Sequence, residues 1–134
     1  MVDINSPTAD KLRYLAWHIA RMDHGQHLNV EPGKHKFNLK YYMTRSPGSQ
    51  DELEMCGTVC CIAGEAVRRL DPKRFYEMLK NREGRWKDEG IRILGINETD
   101  AEHLFYGYFS EELDNDITPK EAAAALRELA EDYE

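Results

Sequence analysis

The 134-residue chain has no long apolar run and few cysteines. No stretch of about 18 apolar residues is present, so no membrane-spanning helix is expected. The three cysteines all lie between residues 56 and 61, whereas a secreted disulfide scaffold spreads an even number along the chain. Residues 1–10 lack the basic start and apolar block of a signal peptide. We therefore expect a cytoplasmic protein.

Basic residues are scarce in the last quarter of the chain. Residues 97–134, the C-terminal segment, hold 2 Lys and Arg against 12 Asp and Glu, whereas residues 1–96 hold 16 against 13. The net charge of −7 is therefore concentrated in the C-terminal segment, which repels nucleic acid and membranes and attracts a basic partner. A solvated face that only maintains solubility is the alternative interpretation.

Apolar residues recur at helical spacing through most of the chain. The clearest apolar stripe predicts a helix that begins near Thr58. The stripe consists of Val59, Ile62, Ala63, Ala66, Val67 and Leu70. Capping signals predict further helix starts at Ser6-Pro7, Asp71-Pro72, Thr99 with Glu102, and Thr118-Pro119 with Glu121. Gly95 predicts a helix end.

The segment between the first two helices has a different pattern. There, the alternation of Phe37, Leu39 and Tyr41 with polar residues predicts a small β-hairpin near residues 35–45. We therefore predict a mainly α protein, a compact bundle of about six helices with that hairpin, in a single domain over residues 1–134.

The cysteines do not have the spacing of a metal site. Cys60 and Cys61 would point about 100° apart on a helix, so they do not easily hold one ion. A zinc site also needs a second pair of ligands, and the only histidine pair with close spacing is His24 and His27. We therefore predict no metal and no cofactor.

Thiol chemistry at Cys56 is an alternative that the sequence leaves open. A cysteine just ahead of a helix N-terminus has a stabilised thiolate, because free amides and the helix dipole favour negative charge. Cys56 would then be the nucleophile of a cysteine-dependent hydrolase or transferase, with His18, His35 or His103 as its base. In the structural interpretation, the cysteines are small buried residues at the start of a helix.

The segment CGTVCCIAG resembles a C-G-T-x-x-C-I-A-G signature of small, mostly uncharacterised bacteriophage and bacterial proteins. The matching residues are Cys56, Gly57, Thr58, Cys61, Ile62, Ala63 and Gly64. The segments LFYG (104–107) and ITPKEAA (117–123) are also similar to such proteins, so the resemblance covers about residues 50–125. Many relatives have an aromatic residue or histidine after the last glycine, where this chain has Glu65. The resemblance implies a phage or mobile-element background and a bacterial host cytoplasm.

These observations together favour a non-catalytic binding protein. We expect its acidic C-terminal segment to bind a basic surface of a host or phage protein, with no direct contact to nucleic acid or membrane. Inhibition of a nucleic-acid-handling or defence complex is one form of this hypothesis. The candidate contact residues are Glu111, Glu112, Asp114, Asp116 and Tyr108. A virion structural or assembly protein is a further alternative.

Overall fold

Most of the chain that the structure describes is helical, which confirms the prediction of a mainly α protein. The computed structural model describes residues 2–24, 36–37, 43–44, 59–60, 62–81, 85–110 and 117–134. Six helices lie in these stretches: α1 (Thr8–Ile19), α2 (Ile62–Leu70), α3 (Pro72–Asn81), α4 (Trp86–Leu94), α5 (Glu98–Phe105) and α6 (Pro119–Asp132). None of the helices in these stretches combines the length and apolar character needed to cross a bilayer.

Three helix boundaries follow the capping signals in the sequence. Thr118 accepts a hydrogen bond from the Glu121 N–H at 3.2 Å, and the Glu121 carboxylate accepts one from the Thr118 N–H. α3 begins at Pro72, as predicted. Gly95 ends α4 with a φ of 73°, a left-handed conformation that glycine adopts without a Cβ clash. The predicted starts of α3 and α6 and the end of α4 are therefore confirmed.

Two predicted capping residues are wrong. Pro7, not Ser6, occupies the N-cap position of α1, and the Ser6 hydroxyl accepts a hydrogen bond from a backbone N–H upstream of it. Asn97, not Thr99, caps α5, because its side chain accepts a hydrogen bond from the Asp100 N–H at 2.8 Å. At α5 a neighbouring polar residue therefore provides the cap, whereas at α1 Pro7 provides no side-chain cap.

A small sheet of two-residue strands precedes α2 in the chain. Its strands are β1 (Asp23–His24), β2 (Lys36–Phe37), β3 (Met43–Thr44) and β4 (Val59–Cys60). The spatial order is β1-β2-β4-β3, with β4 parallel to β2 and antiparallel to β3. The predicted hairpin near residues 35–45 therefore has a different form, since β2 and β3 each pair with β4 rather than with one another.

The position of β4 also moves the start of α2. Val59 and Cys60 lie in the strand, and the helix begins at Ile62 instead of near Thr58. A β-branched residue beside cysteine suits a short strand as well as a helix, so periodicity alone did not separate the two. The rest of the predicted stripe is buried in α2: Ile62, Ala63, Ala66, Val67 and Leu70.

One hydrophobic core is shared by all six helices. α1 and α6 have the most extensive contact, and Leu12, Leu15 and Leu126 are fully buried there. Small alanine side chains on α6 allow this close approach of the two helices. The core therefore joins the first helix of the chain to the last.

Gly90 marks the tightest contact among the middle helices. A Cβ at this position would lie 2.8 Å from Phe105 Cζ and 3.4 Å from Ala63 Cβ. α2, α4 and α5 consequently meet where only glycine fits. This contact fixes α2 relative to α5.

Lys11 is a buried charge that links α1 to α4. Its Nζ donates to the Ile93 carbonyl oxygen at 2.5 Å and to the Ile4 carbonyl oxygen at 3.2 Å. Burial lowers the pKa of Lys11, while Asp3 acts in the opposite direction. Carbonyl acceptors at the end of α4 thus satisfy the ammonium group and give it a structural role.

Candidate functional site

The first candidate site is a cavity of about 320 Å³ between α1, α2 and the start of α3. We call it the arginine pocket, and its lining residues are Tyr14, Arg68, Arg69, Pro72, Phe75 and Tyr76. Helical spacing explains its composition, because α2 places two consecutive arginines in its last turn and α3 begins directly beyond them. Its walls are therefore aromatic and its charged groups cationic.

A buried carboxylate lies under the arginines. Glu65 is fully buried, and its Oε1 accepts a hydrogen bond from Arg69 Nε at 3.0 Å. Arg68 Nη1 lies 3.4 Å from the same oxygen. The Arg69 and Arg68 side chains are 20% and 35% exposed, so both guanidinium groups bridge the interior and the pocket surface. Glu65 thus holds both cations in place.

His18 belongs to the same charge cluster. Arg69 Nη1 lies 3.0 Å from His18 Nδ1. A guanidinium group only donates, so Nδ1 accepts and the neutral ring carries its proton on Nε2. Desolvation lowers the pKa of His18, as do the positive charges of Arg69, Arg68 and Arg21, whereas Glu65 raises it. The balance of charge around this ring is therefore positive.

Exposed aromatic rings extend the cluster along α1. The Trp17 ring is 51% exposed, and the Arg21 guanidinium carbon lies 3.7 Å from its centroid. The His18 ring contacts the edges of Trp17 and Tyr14, at centroid distances of 4.9 and 4.6 Å. A cationic and aromatic surface thus continues from the pocket to the end of α1.

The second candidate site is a groove of about 440 Å³ between α5, the turn after it, and α6. We call it the acidic groove. Its lining residues are Thr99, Asp100, His103, Tyr108, Phe109, Ala125, Glu128, Leu129 and Asp132. Three carboxylates lie at its rim, and among the described residues His103 is its only basic lining residue. Its apolar floor comes from Phe109, Ala125 and Leu129.

A hydrogen-bond link holds the two helices of the acidic groove together. The Tyr133 hydroxyl donates to Asp100 Oδ2 at 2.6 Å and accepts from the Asn97 N–H at 3.0 Å. Burial raises the pKa of Tyr133, and the hydrogen bond to Asp100 raises it further. The end of α6 is thereby fixed to the start of α5.

The structure places some of the predicted site residues in these two cavities. Tyr108 is 68% exposed and lines the acidic groove, together with His103. His18 lies beside the arginine pocket, on another helix, and the Ile62–Gly64 part of the motif is buried in α2. The remaining predicted residues lie outside the described residues: His35, Cys56, Gly57, Thr58, Cys61, Glu111, Glu112, Asp114 and Asp116.

The hypothesis of thiol chemistry at Cys56 stays a prediction, because Cys56 lies outside the described residues. The argument for a stabilised Cys56 thiolate required a helix that begins near Thr58, but α2 begins at Ile62. Among the described residues, no three His, Cys, Asp or Glu side chains come together as a metal ion would require.

Sequence reasoning missed the arginine pocket, because its residues come from three helices that periodicity describes one at a time. Arg68 and Arg69 also have an ordinary explanation as cations in the last turn of a helix. Glu65 lies away from the apolar stripe of α2 on a helical wheel, so its full burial was not visible in the sequence. A buried acid needs a cationic partner, and the i+4 position of Glu65 is Arg69.

No protein-family model, curated protein or solved structure matches this chain. The similarity to phage and bacterial proteins therefore stays a prediction based on the motif around Cys56.

Proposed function

We propose that the protein is a binding module whose acidic groove takes a basic segment of another protein. The observation that carries this proposal is the lining of the groove, with Asp100, Glu128 and Asp132 at the rim of an apolar floor. A lysine or arginine side chain matches both parts, because its aliphatic stem is apolar and its end is cationic. Charge complementarity of this kind selects partners and accelerates association.

Aromatic residues in the acidic groove support the same partner class. Tyr108 presents an exposed ring, and the Phe109 ring lies 6.3 Å from His103 between centroids. Arginine and lysine stack on aromatic faces, which adds to the attraction of the carboxylates. Exposed tyrosines are also common at the energetic centre of protein interfaces.

The proposal extends to the acidic residues that the sequence predicted as contacts. Glu111, Glu112, Asp114 and Asp116 begin two positions after Phe109 in the chain. We propose that they add negative charge to the same interface. A basic surface that binds this protein is of the same type as a surface that binds phosphates. We therefore propose that the partner is a nucleic-acid-handling protein, and that this module competes with nucleic acid for the partner's basic surface.

A defined peptide tests the acidic groove directly. We would titrate a fluorescein-labelled helical peptide containing four arginines, and follow its anisotropy at low and moderate salt. Glu128→Gln removes one charge from the rim, and it should weaken binding about threefold, since exposed charge pairs contribute up to about 1 kcal/mol. Tyr108→Ala should weaken binding further, because it removes a stacking surface.

The matched control is Glu131→Gln, which makes the same change on the same helix outside the groove. We expect this variant to bind almost as the unchanged protein does. Equal effects of the two substitutions would mean that the peptide only responds to net charge, and the groove would not be the site. A second series reverses the charges at Glu111, Glu112, Asp114 and Asp116. Unchanged peptide affinity in that series would remove this segment from the interface.

A further inference from the structure

We propose that the arginine pocket is a binding site for a nucleoside monophosphate. The site is independent of the acidic groove and lies on other helices. It combines two guanidinium groups, aromatic walls and a concave shape of about 320 Å³. That volume is at the small end of the range for small-molecule sites.

The charge of the pocket favours an anion. Glu65 neutralises one of the two positive charges of Arg68 and Arg69, so the pair keeps a net charge of about +1. Arg21 adds another cation close to His18. A phosphate monoester carries between one and two negative charges at neutral pH, which suits this environment.

The guanidinium groups are held for binding before any ligand arrives. Arg69 is fixed at two nitrogens, by Glu65 on one side and by His18 on the other. A guanidinium group has five N–H donors, and the contacts described for Arg69 use two of them. Buried partners that restrain a charged side chain reduce the entropy lost on binding.

The walls of the pocket suit a planar ring. Tyr76 is 57% exposed, while Phe75 is buried and contacts it edge to face at 5.9 Å between centroids. Tyr14 on α1 also lines the pocket. A nucleobase stacks on such rings without needing particular hydrogen bonds. The ring and the phosphate of one ligand thus have complementary surfaces in the same cavity.

Isothermal titration with AMP tests this site, with adenosine and inorganic phosphate as the two halves of the ligand. We expect AMP to bind, and each half to bind at least about tenfold more weakly, because each lacks one set of contacts. Arg68→Gln should weaken AMP binding about tenfold. Arg68 is suited to this test because its 3.4 Å contact with Glu65 is longer than that of Arg69.

The matched control is Arg85→Gln, an exposed arginine at the start of α4 outside the pocket. It should leave AMP affinity unchanged. If Arg68→Gln does not fold, Tyr76→Ala serves instead, because it removes an exposed ring and should weaken AMP while leaving phosphate unaffected. The proposal is overturned if AMP fails to bind at millimolar concentration, or if adenosine binds as well as AMP. Equal losses in the Arg68 and Arg85 variants, or tighter binding of phosphotyrosine than AMP, would also overturn it.

Discussion

The arginine pocket and the acidic groove are built on different principles, although they belong to one small protein. In the arginine pocket, the charges are anchored from below by Glu65, which has no solvent exposure. In the acidic groove, Glu128 and Asp132 are exposed on α6, and the anchoring contact is the hydroxyl of Tyr133. The first site therefore depends on the fold for its charge arrangement, and the second mainly on surface composition.

This difference predicts opposite responses to mutation. Removing the partner of a buried charge costs much free energy, whereas a charge at the surface stays hydrated when its partner is removed. Substitutions of the paired charges in the arginine pocket should therefore change stability and binding together. Substitutions at the rim of the acidic groove should change binding while stability stays nearly constant.

The largest expected effect is that of Arg69→Met. This substitution removes the 3.0 Å contact between Arg69 and the buried carboxylate of Glu65. Of the two arginines, only Arg68 then remains beside that carboxylate, at the longer distance of 3.4 Å. We expect a loss of about 3 kcal/mol in the free energy of unfolding, measured by urea denaturation with circular dichroism. Glu128→Gln in the acidic groove should cost less than about 0.5 kcal/mol in the same assay.

A second substitution separates the buried charge from other effects of Arg69→Met. Adding Glu65→Leu to this variant should restore part of the lost stability, because the buried carboxylate that lost its Arg69 contact is then absent. A loss below about 1 kcal/mol for Arg69→Met would contradict the conclusion that this arginine stabilises the buried carboxylate of Glu65. Purely additive losses in the double variant would also contradict it.

An intermediate effect is expected for Tyr133→Phe in the acidic groove. The substitution keeps the ring but removes the hydrogen bonds to Asp100 and to the Asn97 N–H. We expect a cost of about 1 kcal/mol, because one of these bonds involves a charged group at a partly exposed position. Thermal unfolding followed by circular dichroism measures this change.

Tyr76→Phe is the matched control for Tyr133→Phe, since it removes a hydroxyl from an exposed ring in the other site. It should change stability by less than about 0.5 kcal/mol. If the two hydroxyl deletions had equal effects, the link between α5 and α6 would not contribute to stability. The acidic groove would then have no anchoring contact of the kind described for Tyr133.

The sequence predicted those parts of the fold that depend on neighbouring residues. The capping box of Thr118 and Glu121 and the helix end at Gly95 were predicted correctly, because each of these sequence signals is complete within four residues. The start of α2 was wrong because β4 precedes it and pairs with strands far away in the chain. Strand pairing over such separations leaves little trace in local periodicity.

The two candidate sites differ in the same way. The acidic character of the C-terminal segment is visible in composition alone, so the sequence predicted an acidic surface and included Tyr108 in it. The arginine pocket brings together α1, α2 and α3, and its pairing of His18 with Arg69 spans 51 positions in the chain. No spacing rule connects residues that meet only after folding.

The smallest expected effect is a pH dependence that belongs to His18 alone. Desolvation and the charges of Arg69, Arg68 and Arg21 lower the pKa of His18 below its ordinary value of 6.5, against the opposing effect of Glu65. The unfolded chain therefore binds a proton at a higher pH than the folded protein does. Stability is complete above the ordinary pKa and decreases as the pH falls through the folded pKa.

Urea unfolding at pH 7.5 and pH 5.5 measures this contribution of His18. The unchanged protein should lose more stability between these values than His18→Gln does, since the variant lacks the titrating group. His103→Gln is the matched control, because it removes a histidine from the acidic groove and leaves His18 and the arginines in place. If His18→Gln and His103→Gln lost the same amount, the arginines would not act on the His18 ring. The contrast between an anchored cationic site and a hydrated acidic one would then lack its electrostatic basis.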